Sequence, residues 1–367
     1  MKILAKKLYT NKQVFENQLI EVAENEIVSV SNFENAPVDH IFENLSAGFI
    51  ETHINGGEKY YFTQHPNETA IDDIYQASFK LGTAYVLPCL ITSSLENILQ
   101  GIESTKNYIQ KNPQSGVLGM HLEGPFLNIK KRGAHLAKYV RMPTDAELAE
   151  IIKYGKDVIK IMTIAPENFT ASQIEMLVES GIKVSAGHSN ATYQEAQNAF
   201  SQGVHLVTHL YNAMSAFGHR EPGLVGATFD NDAVYAPIIL DGIHCDFAAA
   251  RIAYHQKKDK LFLISDALFL GHKVTQFQWQ EFDAYLLDGQ YKNSEGNLAG
   301  AAVSLDDCVR NAVKFVGIPL EEAIEMATER PAKVLGLASK IGSVAVGQRA
   351  TFTVFDDNLT KFESYKL

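Results

Sequence analysis

The stretch from His188-Ser-Asn-Ala-Thr192 to His209-Leu-Tyr-Asn-Ala-Met214 decides the fold, because each half opens with a histidine at the end of an apolar, strand-like run. The first run covers 182–187 and the second 204–208, and residues 193–202 between them are predicted to form a short helix. A strand, a helix and a second strand make a βαβ unit, which brings the two imidazoles to one edge of a parallel sheet. Neutral imidazole is a favoured ligand of zinc and iron, so the two histidines indicate a metal site.

The alternation of apolar runs and helical stretches continues over residues 46–339, and the helical stretches include 145–154 and 170–180. Alternating strands and helices predict a parallel sheet, and eight such units predict a closed (β/α)8 TIM-like barrel of the α/β class. In such a barrel the active site lies at the carboxyl ends of the strands. The eight predicted strands end near His53, Thr92, Glu123, 165–167, His188, His209, 241–244 and Asp266.

The two ends of the chain differ from the middle and resemble each other. Short segments within residues 1–45 alternate apolar and polar positions, and so does 350–356. Such alternation is typical of half-exposed strands. We therefore predict that residues 1–45 and 340–367 pair into one small β-sandwich domain, and that residues 46–339 form the barrel between them.

The composition argues against several classes of function. Of the 367 residues, 46% are hydrophobic, which is enough for a large core. The formal net charge is −11 and no long basic run occurs, so neither nucleic acid nor an anionic membrane surface is expected as the main partner. No apolar run approaches the roughly 20 residues of a membrane span, and the amino terminus has no signal-peptide core, so a cytoplasmic protein is expected. The three cysteines, Cys89, Cys245 and Cys308, form no CxxC pair, which argues against a disulfide framework.

Glu123 completes a candidate metal site with the two histidines. It lies in Gly119-Met-His-Leu-Glu-Gly-Pro-Phe126, where the Gly-Pro that follows excludes a helix and fixes the carboxylate at a strand end. A Glu-His-His set leaves positions open for water and substrate, which is the pattern of a catalytic metal site. One such residue alone is more often a hydrogen-bonded core or loop residue. Three of them at strand ends of one barrel favour the metal.

Asp266 ends the eighth apolar run, Leu261-Phe-Leu-Ile-Ser-Asp266. A carboxylate at the end of so apolar a strand is costly without a partner. A water whose pKa is lowered by a metal is one such partner, and Asp266 could take its proton. The alternative is a helix N-cap. His244 ends the seventh run and could polarise a carbonyl or contact an anion, although a lone histidine is more often structural.

Two segments after the sixth strand are candidates for binding a phosphate. Arg220 suits bidentate phosphate binding, and an ion pair with Glu221 is the alternative. Asn212 and Ala213 follow His209, and backbone N–H groups at a helix start can hold an anion.

A short basic run, 130–132, lies near the predicted mouth of the barrel. We interpret it as a solvated loop, with His135 behind it as a candidate substrate contact.

With these residues in place, the chain resembles the amidohydrolase superfamily, and within it the N-acetylglucosamine-6-phosphate deacetylases. The resemblance covers nearly the whole length. It implies a hydrolase of a linear amide bond, and a homodimer in which an arginine reaches the neighbouring active site. The order and type of six motifs carry it: 121–128 with 131–135, 187–192, 208–214, 220–223, 241–244 and 265–267.

The resemblance implies a role for each matching residue. Glu123, His188 and His209 match the metal ligands, and Asp266 matches the catalytic acid and base. His244 matches a histidine that contacts the substrate and polarises its acetamide carbonyl. The other substrate contacts match His135, Leu298, Asn212, Ala213 and Arg220, of which the last three surround the 6-phosphate.

The first strand departs from the superfamily pattern Asp-x-His-x-His, because it reads Glu51-Thr-His53-Ile-Asn55. An amide is a weaker ligand than imidazole, so we expect one divalent ion per subunit, zinc or ferrous iron, with His53 as a candidate for a second site. Ala301 also stands where the family commonly has serine.

We therefore expect a metal-dependent deacetylase that converts N-acetylglucosamine 6-phosphate into glucosamine 6-phosphate and acetate, in amino-sugar catabolism. One alternative is a deacetylase of another N-acetylated sugar phosphate, such as N-acetylgalactosamine 6-phosphate. The other is a catalytically degenerate protein that only binds a sugar phosphate. The intact set of three ligands and Asp266 argues against this last alternative.

Overall fold

The regular elements of the protein alternate as the sequence predicts. A computed structural model describes residues 1–366. The strands are β1 (Lys2–Thr10), β2 (Gln13–Ala23), β3 (Glu26–Asn32), β4 (His40–Ala47), β5 (Phe49–Ile54), β6 (Thr83–Ile91), β7 (Met120–Glu123), β8 (Ile159–Ile164), β9 (Lys183–Ala186), β10 (Leu206–Val207), β11 (Ala236–Ile238), β12 (Leu261–Leu263), β13 (Gln276–Trp279), β14 (Phe282–Leu287), β15 (Gln290–Lys292), β16 (Thr351–Phe355) and β17 (Phe362–Lys366). The α-helices are α1 (Glu68–Lys80), α2 (Leu95–Lys111), α3 (Asp145–Gly155), α4 (Ala171–Glu179), α5 (Tyr193–Ser201), α6 (Gly223–Phe229), α7 (Phe247–Lys257), α8 (Leu305–Asn311), α9 (Leu320–Ala327) and α10 (Glu329–Leu335).

Strands β5 to β12 close into the predicted barrel. β5 to β10 form one parallel sheet in chain order, and β11 pairs with β12 in parallel. Two isolated parallel bridges join these pieces, one from Leu206 to Tyr235 and the other from Ile54 to Ala267. The prediction of an eight-stranded barrel is therefore confirmed, and each strand ends within a few residues of its predicted end.

Burial explains why the barrel strands read as apolar runs. All nine residues of β6, Thr83-Ala-Tyr-Val-Leu-Pro-Cys-Leu-Ile91, are buried. Parallel strands covered on both faces need such continuous apolar sequence.

The helices begin at local signals. Thr192 and Glu195 form a capping box in which the Glu195 carboxylate accepts the Thr192 N–H at 2.8 Å, so α5 begins directly after the His188 turn.

The two ends of the chain pair into one mixed six-stranded sheet, in the order β17-β16-β4-β1-β2-β3. The sheet curls until its β3 edge meets the segment that enters β16. The Ile27 N–H donates to the Gln348 carbonyl and the Gly347 N–H donates to the Ile27 carbonyl, both at 2.8 Å. The predicted sandwich is thus built from one curled sheet. β4 runs to Ala47 within it, and the domain boundaries of 1–45 with 340–367 stay a prediction.

A three-stranded antiparallel sheet, β13 to β15, is inserted between β12 and α8, and the sequence analysis did not predict it. Its buried aromatic residues Phe277, Trp279 and Phe282 pack with Tyr61 of the barrel. The rings of Tyr61 and Phe282 are stacked, with centroids 5.9 Å apart. Both rings reach the site described below, so the inserted sheet forms part of its wall.

Within residues 1–366, no helix combines the length and the apolar character that crossing a membrane requires.

Candidate active site

The candidate site stands on residues at the carboxyl ends of the barrel strands. Glu123 ends β7, while His188, His209 and Asp266 lie just beyond β9, β10 and β12. His188, His209 and Asp266 have positive φ angles of 46°, 33° and 49°. Residues other than glycine rarely adopt this left-handed conformation, which costs about 1–3 kcal/mol and persists where the surroundings enforce it. All three residues thus lie in strained turns directly after their strands.

One atom each of Glu123, His188 and His209 converges at the centre of the site. We call Glu123 Oε1 and the two histidines the ligand half of the site. The Nε2 atom of His188 lies 3.1 Å from Oε1, and that of His209 lies 3.2 Å from it. The two Nε2 atoms are 3.1 Å apart. Ligands about 2.1 Å from a tetrahedral zinc ion lie about 3.4 Å from one another. The three atoms are therefore spaced much like three corners of a metal tetrahedron.

The hydrogen bonds of the two histidines test whether a metal fits there. His188 Nδ1 lies 2.8 Å from the Lys131 carbonyl oxygen, which can only accept, so Nδ1 carries the proton of the neutral ring. In the neutral ring that a metal ligand requires, Nε2 is then the unprotonated nitrogen, and it faces the Glu123 carboxylate. His209 Nδ1 is buried, and no group of the described chain hydrogen-bonds it. Acceptors this close repel each other unless a cation lies between them, so the donor set fits a divalent ion such as zinc or ferrous iron.

The second oxygen of Glu123 faces different partners, and we call Oε2, His53, Asp266 and Asn55 the proton half of the site. His53 Nε2 lies 3.2 Å from Oε2 and 3.3 Å from Asp266 Oδ1. The Asn55 side-chain amide donates to the same Oδ1 at 2.8 Å. One imidazole therefore lies between two carboxylates, and the orientation of Asp266 is fixed by two partners.

The carboxylates of the proton half set the protonation of His53. Burial lowers the pKa of His53, but Asp266 and Glu123 outweigh burial and raise it well above the ordinary value. Burial raises the pKa of Glu123, whereas the positive charge on His53 helps to hold it well below the usual range. A metal ligand must be a neutral ring, and His53 as a candidate for a second metal site stays a prediction.

His244 is held by a carboxylate of its own. Its Nδ1 lies 2.6 Å from Asp241 Oδ2, and Asp241 Oδ1 accepts the backbone N–H groups of Ile243 and His244. Burial lowers the pKa of His244, but the hydrogen bond and charge of Asp241 raise it above the ordinary value. Asp241 therefore fixes the ring through Nδ1 and favours its protonated form, in which Nε2 is also a donor. The sequence analysis gave Asp241 no role, although it lies in the Asp241–His244 motif.

The strand ends open into a cavity of about 370 Å³. Arg220 is exposed on the loop before α6 and stands apart from the cavity wall. His53 is only 1% exposed and lies beneath the wall. The structure brings the other predicted residues together at the wall, namely Glu123, His135, His188, His209, Asn212, Ala213, His244, Asp266 and Leu298.

The basic run is a solvated loop only in part, because Lys130 is exposed whereas Lys131 and Arg132 are half-buried. Lys130 and Lys131 line the cavity, while Arg132 pairs with Glu295 at 2.8 Å. The Lys131 carbonyl also holds His188, as described above. A charge count along the sequence cannot show that a loop folds inward, because the fold decides which way it turns.

Comparison with known proteins agrees with this geometry. A family model described as the amidohydrolase family matches residues 44–366. The chain belongs to the amidohydrolase family. The predicted resemblance is thus confirmed at the level of the family.

Two amidohydrolase relatives differ in the sugar that their names carry. The chain is 37% identical over 319 residues to an N-acetylglucosamine-6-phosphate deacetylase of Haemophilus influenzae. The alignment covers 86% of this chain and 83% of the relative. The chain is 35% identical over 316 residues to an N-acetylgalactosamine-6-phosphate deacetylase of Shewanella sp., with 86% and 79% covered.

Solved amidohydrolase structures share the whole architecture. The N-acetylglucosamine-6-phosphate deacetylase of Pasteurella multocida has a TM-score of 0.94 and 33% identity, with 100% of each chain covered. A mutant of the Mycobacterium smegmatis enzyme, in complex with N-acetyl-D-glucosamine 6-phosphate, has a TM-score of 0.90 and 26% identity, with 98% of this chain and 96% of that chain covered. The barrel and the terminal sheet therefore belong to one common fold.

Proposed function

We propose that this protein hydrolyses the acetamide of N-acetylglucosamine 6-phosphate, giving glucosamine 6-phosphate and acetate. The observation that carries the proposal is the ligand half beside Asp266. Two imidazole nitrogens and a carboxylate oxygen lie within 3.2 Å of one another, and a fixed carboxylate lines the same cavity. The names of the relatives support the sugar phosphate as substrate.

Glu123, His188 and His209 would hold one divalent ion, and this ion would supply polarisation of the amide carbonyl and a lowered pKa for a water. Asp266 then accepts a proton from the water as its oxygen attacks the carbonyl carbon. Asp266 returns this proton to the sugar nitrogen as the C–N bond breaks. His244 donates from Nε2 to the carbonyl oxygen, where negative charge develops.

Asn212, Ala213 and Arg220 bind the phosphate in this proposal. The Asn212 N–H donates to the His209 carbonyl at 2.9 Å, and the Asn212 side-chain amide donates to the His209 and Leu210 carbonyls at 3.4 and 3.3 Å, so both groups hold the turn that presents the Ala213 backbone. Ala213 has a φ of 51°, and a backbone with such left-handed residues can form an anion-binding concavity. Phosphate binding would hold the acetamide at the reacting groups, which is binding energy used for orientation.

The position of Arg220 supports a homodimer in which this residue serves the neighbouring site. Two inactive variants can test this. We expect purified Asp266→Asn and Arg220→Ala proteins to be weak alone, and to regain about one quarter of wild-type activity when subunits are mixed randomly, since half the dimers would carry one complete site. An arginine that serves its own subunit would give no recovery, because every site would then lack one of the two groups.

The galactosamine epimer is the second candidate substrate, because relatives of both names are similar to this chain. Acetate release by metal-reconstituted protein should be measured with N-acetylglucosamine 6-phosphate, N-acetylgalactosamine 6-phosphate and unphosphorylated N-acetylglucosamine. Faster release from the first supports the proposal, and faster release from the second replaces the sugar. Equal release with and without phosphate contradicts the phosphate role of Arg220. No release with metal bound would favour the degenerate sugar-phosphate-binding protein.

A further inference from the structure

The barrel closes at a seam between β5 and β12 that has few backbone contacts. Among residues 1–366, one parallel bridge, from Ile54 to Ala267, joins the two strand ends. The Asn55 N–H donates to the Ala267 carbonyl at 2.9 Å, and the Asp266 N–H donates to the His53 carbonyl at 3.0 Å. His53 and Asp266 thus stand on opposite sides of the seam, and the width of the seam sets the distance between them.

A buried carboxylate, Glu51, spans this seam. Its side chain belongs to a residue that is only 1% exposed. One oxygen accepts the His53 N–H at 2.8 Å, and the other accepts the Ser265 N–H at 2.8 Å. Burying a carboxylate is costly unless its oxygens are hydrogen-bonded, and here each oxygen binds the backbone of a different strand end. Glu51 therefore provides by its side chain the contacts that a continuous ladder would provide.

The bond to Ser265 is important because the next residue is Asp266. The Asp266 backbone has a φ of 49°, a strained conformation that its neighbours must maintain. On one side Glu51 holds the Ser265 N–H, and on the other side the Ala301 N–H donates to the Asp266 carbonyl at 2.8 Å. The Asp266 side chain is therefore aimed by a backbone that is held at both flanks.

We propose that Glu51 is a positioning residue that acts through the Ser265 N–H and fixes Asp266 relative to His53 and Glu123. Glu51 lies behind the cavity wall, so it touches no substrate. The inference rests on the proposed function, in which Asp266 moves the proton. A misplacement of about 1 Å at such a group costs about 10²-fold in rate.

Glu51→Gln tests the proposal with a side chain of the same shape. The amide NH2 cannot accept a hydrogen bond, so one of the two N–H groups loses its partner. We expect kcat to fall about 10- to 100-fold, with KM and bound metal unchanged. Glu51→Asp keeps the charge but withdraws the oxygens by one methylene, so its kcat should lie between wild type and Glu51→Gln.

A matched control and a double variant separate positioning from general stabilisation. Ser78 lies 2% exposed beside the same small internal cavity as Glu51, and its hydroxyl is unpartnered among the described residues. Ser78→Ala should leave kcat unchanged. In the Asp266→Asn background, Glu51→Gln should lower the residual rate by less than about twofold, because residues that act as one unit are not additive. A full further loss, or a loss of metal, would overturn the proposal.

A crystal structure of Glu51→Gln gives a readout independent of activity. The distance from His53 Nε2 to Asp266 Oδ1, 3.3 Å here, should lengthen by about 0.5 Å, which is the tolerance of a catalytic arrangement. An unchanged distance would overturn the positioning role even in a protein that folds and binds metal. If the wild-type protein releases no acetate, the proposed function fails, and this distance still decides whether Glu51 holds Asp266. Should Glu51→Gln not fold, Glu51→Asp provides the same measurement.

Discussion

The histidines of the ligand half and of the proton half differ in the partner of the ring. In the ligand half, His188 donates a hydrogen bond from Nδ1 to a backbone carbonyl, and its Nε2 faces Glu123 Oε1. In the proton half, His53 lies between two carboxylates, which raise its pKa. The same side chain is thus held by a backbone carbonyl in one place, and in another it lies between two carboxylates, 3.2 Å from the same glutamate. The difference shows that the groups around an imidazole, more than the imidazole itself, decide whether it suits a metal or a proton.

The largest effect should come from breaking the ligand half. We expect His209→Ala to lose its bound divalent ion and at least about 10³-fold in kcat/KM, because a metal contributes several kcal/mol to the transition state. The matched variant His53→Ala should keep one equivalent of metal. Metal analysis of both dialysed proteins checks this. Equal loss from both variants would erase the distinction between the halves.

Asp266→Asn should have the next largest effect, because it leaves the ligand half intact. We expect kcat to fall about 10²- to 10⁴-fold, which is the usual contribution of a general base. Metal content should match the wild type. Steady-state rates combined with metal analysis make the measurement, and a variant that keeps most of its turnover would remove Asp266 from the proton transfer.

Asp241→Asn extends the comparison to His244, whose pKa is also raised by a carboxylate. A raised pKa keeps His244 charged, and able to donate, at higher pH than an ordinary histidine. Without Asp241 the pKa falls, so the alkaline limb of the kcat profile should move to lower pH, and the loss of rate should grow as the pH rises above neutral. Rates measured between pH 5.5 and 9 test the direction of this change in rate. If neutral His244 is the active form, the rate should rise instead of fall.

The smallest effect on rate should come from Asn55→His, which sharpens the comparison instead of breaking it. A second imidazole in the proton half would restore the superfamily pattern of the first strand. We expect the bound metal to rise from about one equivalent towards two, with kcat changed by less than about tenfold. A stoichiometry that stays at one would show that the missing imidazole is not what limits metal binding in this half.

Much of this site could be predicted from the sequence because its residues lie at strand ends. An apolar run that stops at His188, His209 or Asp266 predicts both a strand and the position of that side chain at the carboxyl edge of the sheet. In contrast, the bonds of Glu51 and Asp241 depend on chain segments brought together by closure of the barrel. Nothing in the local sequence around Glu51 indicates that its second oxygen binds Ser265, since that contact exists only once β5 meets β12.

The inserted sheet and the inward loop were missed for a related reason. β13 has only four residues, and its alternation of exposed and buried positions is too short to stand out from a loop. The sequence predicts that Lys131 is a surface charge, and its position at the cavity wall follows only from the folded loop. Tertiary contacts, not local propensity, fix both features.

The terminal sheet has a consequence for synthesis on the ribosome. β4 receives its neighbour β16 from the far end of the chain, where Phe352 pairs with Ala47. Roughly 300 residues separate them, so at about 5–20 residues per second the first four strands wait about 15–60 s for their missing edge. During that time the part of the apolar cluster around Leu45 that Val344, Ala350 and Phe352 cover stays exposed. Nascent chains of this protein are therefore expected to depend on chaperones until translation ends.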